Sequence, residues 1–252
     1  MPSVALAEVA GFLDDYLAVS RFPDYPNALN GVQVESSGPI RRVAAAVDAS
    51  QAVIDQAKDW ADLFIVHHGL FWGGLQPLTG RHFDRVRALV ETNTALYSAH
   101  LPLDAHAEVG NSAVLARKLG FENLEPFGHF QGATVGWQGV VDAPLEALAH
   151  SLEEATGSRT QILPGGPEHV RTAAVVTGSG ASALAEAAAA GLDLLVTGEA
   201  QHHHAIDAAE LGVSVVLGGH YATETWGVKA LARLLEQRFG IEARFVDSPT
   251  GL

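Results

Sequence analysis

The sequence predicts an α/β protein built from two related β-α-β-α-β lobes with mainly parallel sheets flanked by helices. Three observations carry that prediction. Two stretches, 41–69 and 170–200, repeat one order of elements: an apolar run, a small polar turn, an Ala-rich helix, an aspartate and a second apolar run. The runs are short and continuously apolar, as strands buried on both faces are. In each copy a third such run ends in a histidine with an acid four residues on, "HLPLD" and "HYATE".

The elements follow in order. "MPSVALAEVAGFLDDYL" carries Glu8, Asp14 and Asp15 and no early positive charge, so it reads as an amphipathic helix and not as a signal peptide. In the first copy the strands are Val43–Val47, "LFIV" after Asp62, and "ALYSA" (95–99), with a helix near Phe83–Thr92. In the second they are Ala173–Val176, "LLVT" after Asp193, and "VSVVLGG" (213–219), with a helix near His203–Leu211. "DAS" and "TGSG" are turns that can start helices. Residues 126–170, rich in Gly and Pro at both ends and with a helix near Leu145–Thr156, read as a small connecting subdomain. The expected division is therefore 1–125, 126–170 and 171–252, the second lobe packed on the first as one compact unit. A last helix, Thr225–Phe239, stops at Gly240 as glycine capping requires, and "IEARFVD" reads as an edge strand.

Composition narrows the function. With 15 basic and 29 acidic residues the net charge is −14, against the basic face that sequence-independent nucleic-acid binding needs. The absence of cysteine excludes disulfides, thiolate metal sites and cysteine nucleophiles, and fits a cytoplasmic location. No apolar run approaches the ~20 residues of a membrane span. No G-x-S-x-G, P-loop or dinucleotide fingerprint is present.

In open parallel sheets, ligands bind beyond the carboxyl ends of the strands. His67 and His68 end the second strand of the first copy, and His100 and His220 end the third strands. With Asp104 and Glu224 they make a mixed nitrogen and oxygen donor set, suited to zinc, manganese, iron or cobalt. Adjacent histidines on an extended backbone point to opposite faces, which makes one shared ion awkward and two ions simple, with a carboxylate such as Glu224 between them. The bland alternatives are a satisfied buried pair for "HHG" and a helix start for "HYATE". "QHHHAID" reads as a solvated first turn or, with Glu199, as a pocket wall, and the other histidines read as surface or structural.

"NGVQVES" (30–36), "VHHGLFW", "YSAHLPLDAHAEVGNSAVLARKLG" (97–120), "TGSG", "TGEAQHH" and "GGHYATETWGVKAL" (218–231) together resemble the Nif-three-like dinuclear-metal-centre proteins, described as homologues of GTP cyclohydrolase 1 type 2. The resemblance covers nearly the whole chain. It implies two related lobes, a toroidal homohexamer and two divalent metal ions per chain (Zn, Mn or Fe). It assigns His67, His68, Asp104, His220 and Glu224 as ligands, with Glu224 bridging, and places His100 close to the metals. Where relatives often carry a glycine-arginine-glycine pattern this chain has "GATVGWQG" (132–139), so no arginine contact is expected there. The expected function is metal-dependent hydrolysis of a small nucleotide-like or phosphorylated substrate, His100 shuttling the proton. The alternative is a non-catalytic, ring-forming metal-binding or interaction protein.

Overall fold

The computed structural model describes residues 2–252. The first stretch of chain runs α1 (Leu6–Tyr16), β1 (Gly31–Val34), β2 (Arg42–Asp48), α2 (Gln51–Ala57), β3 (Leu63–His68), α3 (Gly80–Glu91), β4 (Ala95–Ser98) and α4 (Leu101–Asp104). It continues through α5 (Asn111–Lys118), β5 (Glu122–Phe130), β6 (Ala133–Pro144), α6 (Leu145–Thr156), β7 (Gln161–Leu163) and β8 (His169–Val176). Then come α7 (Leu184–Ala189), β9 (Leu194–Thr197), α8 (His202–Leu211), β10 (Ser214–Leu217), α9 (His220–Thr223), α10 (Thr225–Phe239) and β11 (Glu242–Phe245). No helix among the described residues is long and apolar enough to cross a membrane.

The elements form two sheets in two compact units. The first unit, Met1–Leu103 with Gly227–Ser248, holds a sheet of order β1-β4-β3-β2-β11. Strands β4, β3, β2 and β11 are mutually parallel and β1 is antiparallel at the edge. The second unit, Asp104–Trp226 with Pro249–Leu252, holds β5-β6-β8-β9-β10-β7. Here β8, β9 and β10 are parallel and the flanking strands antiparallel. The parallel triplets β2-β3-β4 and β8-β9-β10 are the two repeats expected from the sequence.

The triplets are buried through their centres, β8 from Ala173 onward, which is why those stretches show no alternation of apolar and polar residues. Phe64, Val66 and Leu96 pack with Ile54 and Leu89 in the first lobe. Leu195 and Val215 pack with Leu184 and Ala187 in the second. The repeated aspartates explain themselves in the structure. The Asp62 carboxylate accepts the N–H groups of Arg41 and Arg42 where β2 begins, and Asp193 accepts those of Arg171 and Thr172 in β8. Each ties the start of one strand to the start of its neighbour.

The expected partition of the chain is corrected in two places. Residues 126–170 do not form a separate connecting subdomain; β5 and β6 form a hairpin through Gln131 and Gly132, both at positive φ, and β6 pairs with β8 in the second sheet. The chain after Gly227 does not stay with the second lobe, since β11 pairs in parallel with β2. In both cases an unpaired strand edge of a parallel triplet takes up a strand that satisfies its N–H and C=O groups.

Candidate metal centre

In the first lobe the histidines gather where β3 and β4 end. His67 is fully buried and its Nδ1 lies 2.9 Å from the Ala99 carbonyl oxygen. His68 Nδ1 lies 2.9 Å from Oδ1 of Asp48, the residue beside it at the end of β2. His100 Nδ1 lies 2.9 Å from Oδ1 of Asp24. Each of these imidazoles has an oxygen at Nδ1, which fixes the ring plane and leaves Nε2 as the atom to present elsewhere.

Three residues that precede β2 hold this arrangement. Asp24 also accepts from the Leu101 N–H and from Asn30 Nδ2. Burial works to raise its carboxyl, but the hydrogen bond and charge of His100 and the bond from Asn30 hold it below the usual range. Asn30 Oδ1 accepts the His100 N–H at 2.7 Å. Gln33 Oε1 accepts the Leu70 N–H at 2.8 Å, and its amide lies where a Cβ on Gly69 would stand. Gly69 therefore leaves room for the Gln33 amide just after the histidine pair. The His67 and His68 rings sit with centroids 4.7 Å apart, and His100 lies 5.0 and 5.7 Å from them. The strict face alternation expected for adjacent strand residues is relaxed at the strand's last residue, so both rings reach one cluster.

In the second lobe the polar groups are carboxylates and one imidazole set among glycines. Asp104 ends α4, is 6% exposed, and accepts from Asn111 Nδ2 at 2.8 Å and Thr177 Oγ1 at 3.3 Å. His220 begins α9, with Nδ1 3.0 Å from Glu199 Oε1 and Nε2 3.2 Å from Glu224 Oε2. The buried Glu224, with help from Glu199 and against the cost of burial, pushes the His220 pKa up to about 9. Gly178, at φ +62°, lies against the Glu224 carboxylate so closely that a Cβ there would fall on Oε1. Its carbonyl accepts from the N–H groups of Gly198 and Glu199, and its own N–H donates to Thr223 Oγ1. "TGSG", "TGEA" and "HYATE" thus form one laced unit around Glu224.

Among the described residues, those in groups able to hold a metal ion are His67, His68, His100, Asp104, His220 and Glu224. These are the six collected from the strand ends in the sequence. Residues 4–250 match the family described as Duf34/NIF3 (NGG1p interacting factor 3). The chain belongs to the DUF34/NIF3 family. It is 45% identical over 248 residues to a Deinococcus radiodurans protein named GTP cyclohydrolase 1 type 2 homolog, covering 97% of this chain and 94% of that one. A Halobacterium salinarum protein of the same name is 48% identical over 257 residues, with 98% and 99% covered. A crystal structure of a Thermus thermophilus protein superposes with a TM-score of 0.91 at 43% identity, covering 99% of this chain and all of that one. A solved structure of protein ybgI, titled as of unknown function, gives 0.91 at 33% identity with the same coverage.

In this NIF3-family chain several residues that shape the site carried no periodic signal. Asp24 lies in "FPDYPN", a loop with nothing to mark it. Asp48 was legible only as the polar residue closing a buried run. Asn30 and Gln33 belong to "NGVQVES", and the structure gives that motif its reason: it braces the backbone after His68 and at His100. Of the "QHHH" run, His202 and His203 are exposed, and His204 Nδ1 accepts the Gln201 N–H in a helix cap. None of the three belongs to a group able to hold a metal. His82 is buried edge-on to Phe71 and is structural.

Proposed function

We propose that this NIF3-family chain holds two divalent metal ions, of zinc, manganese or iron. His67, His68, Asp104, His220 and Glu224 would hold them. The observation that carries the reading is the anchoring of every imidazole in the set. His67, His68, His100 and His220 each have an oxygen 2.9–3.0 Å from Nδ1, the arrangement that readies Nε2 to ligate. The setting of the carboxylates adds support. Asp104 is held by Asn111 and Thr177, and Glu224 lies against Gly178.

Two such ions polarise a phosphoryl or carbonyl oxygen and acidify water. The protein's own part is positional. Asp24 holds His100 by Nδ1, so Nε2 is the atom that accepts a proton from the attacking water and returns it to the leaving group. Asn30 fixes the His100 backbone, so the proton-transfer atom does not drift. The reaction is hydrolysis of a small nucleotide-like or phosphorylated substrate, in line with the name that relatives carry. We place it in a cytoplasmic homohexamer, on the family resemblance.

The test is metal content per chain by plasma mass spectrometry on untagged protein, beside Glu224→Ala and His67→Ala. About two equivalents in the wild type, lost in both variants together with turnover of a phosphoester panel, supports the reading. Folded variants that bind no metal yet keep full turnover would sink the hydrolytic mechanism. A wild type that takes up no Zn, Mn or Fe would sink the metal site itself.

A further inference from the structure

Two aromatic rings of the first lobe stand against the histidine cluster with no part in ligation or proton transfer. Trp72 follows the histidine pair, and its ring centroid lies 4.6 Å from that of His100 and 5.9 Å from that of His68, both edge-to-face. Tyr25 completes the group, 6.0 Å from His100 and 6.1 Å from Trp72, whose plane it meets at 65°. These separations are in the range at which aromatic rings attract one another. The two rings make a steep-sided corner that touches the imidazole assigned to proton transfer.

Neither ring fills the core. Tyr25 is 46% exposed and Trp72 is half-buried. Trp72 Nε1 is shielded from water and has no hydrogen-bond partner, a cost that a tryptophan kept only for stability would avoid. Both rings are nonetheless braced. Tyr25 precedes Pro26, and a residue before proline is restricted to extended backbone. Its N–H donates to Asp24 Oδ1 at 2.7 Å, and Asp24 is the carboxylate that holds His100. Asn27 Nδ2 donates to the Trp72 carbonyl oxygen at 3.4 Å and so ties the two loops together. Rings held in this way give up little freedom when a ligand arrives, which is what a stacking platform needs.

We propose that Tyr25 and Trp72 stack the base of the substrate, which is therefore a nucleotide and not a phosphorylated compound without an aromatic ring. Every base has a π-face, and stacking asks nothing of its hydrogen-bonding edges, so this recognition needs no side chain that reads the base. The proposal rests on the hydrolytic reading for the fate of the bound nucleotide, but not for the stacking itself.

The probe is guanosine monophosphate, with ribose 5-phosphate as the ligand that lacks a base. Binding of each to the full-length protein is followed by calorimetry and by tryptophan emission, with metal content and a thermal melt measured on every sample. In the wild type we expect guanosine monophosphate to bind roughly tenfold or more tighter than ribose 5-phosphate and to quench the emission. Trp72→Leu and Tyr25→Leu keep apolar bulk without a ring, and each should cut that ratio severalfold. Trp72→Phe should recover part of it. Trp60→Phe, before the amino end of β3, should behave as the wild type does. A ratio unchanged in both leucine variants, or near one in the wild type, overturns the proposal, while about two equivalents of metal in the same samples would keep the metal centre. Weakening of both ligands by one factor overturns it too, since the rings would then only brace the site. Ring-dependent binding of the nucleotide by a wild type that takes up no Zn, Mn or Fe would keep the stacking corner and reject the metal centre.

Discussion

The two lobes share a frame and differ at its rim. Both have three parallel strands, and both use an aspartate, Asp62 or Asp193, to clamp two N–H groups at the start of the first strand. At the carboxyl ends they part. The first lobe ends its strands in three imidazoles, anchored by Ala99, Asp48 and Asp24. The second ends them in glycines, so that Glu224 lies directly against backbone at Gly178. A repeated scaffold thus constrains where strands begin and leaves their ends to carry chemistry. One lobe presents imidazoles on rigid rings, and the other presents His220 with carboxylates, of which Glu224 has room only because Gly178 lacks a Cβ.

The sharpest way to break this contrast is Gly178→Ala. The added methyl displaces the Glu224 carboxylate, and the left-handed backbone costs about 1–2 kcal/mol besides. We expect metal uptake to be lost although every ligand remains. Gly120→Ala, also at positive φ but with nothing near its Cβ, should destabilise through backbone strain alone and keep its metal. Metal content and thermal melts of both variants decide the matter, and full metal content in Gly178→Ala would refute the steric account.

The next effect is on pH. His220 in the metal-free protein titrates at about 9, well above an ordinary imidazole. Its protonated form is favoured by folding, so its contribution to apo stability is complete below about pH 6.5 and is lost as pH rises through about 9. A cation must displace that proton, so affinity should climb by about tenfold per pH unit between about 7 and 9 and then level off. Metal-free melting temperature and metal affinity should therefore move in opposite directions over this window. Competition titrations and melts at matched pH test it, and a flat affinity would mean that His220 is not a ligand.

The smallest effect tests the shared frame. Asp62→Ala and Asp193→Ala each strand two N–H groups at a sheet edge, a cost of roughly 1–3 kcal/mol. We expect both to lower the melting temperature by a similar few degrees and to leave metal content unchanged. A large inequality between them would show that the aspartates are not equivalent in the two lobes.

Much of this could be read before any coordinates. The six strands of the two parallel triplets were visible because stretches buried on both faces read as unbroken apolar runs. Leu145–Thr156 and Thr225–Phe239 fall on α6 and α10 to the residue, because Gly157 and Gly240 end them. His67, His68, His100, Asp104, His220 and Glu224 stand out in the sequence because parallel sheets place sites at strand ends, and they are the residues of the groups able to hold a metal ion. The supporting residues were hidden. Asp24 reaches His100 across 76 positions and Thr177 reaches Asp104 across 73, and no local pattern encodes a hydrogen bond over that separation.

The sequence by itself therefore determined the duplicated α/β scaffold, the strand ends and the donor types placed on them. These follow from local burial and turn chemistry, which each segment carries within itself. Only the tertiary structure decided which sheet took the hairpin β5-β6 and the returning strand β11, and which oxygen fixed each imidazole. Those outcomes depend on whichever open strand edge or unpaired polar atom the folded chain brings within about 3 Å, and that distance exists only once the lobes have formed.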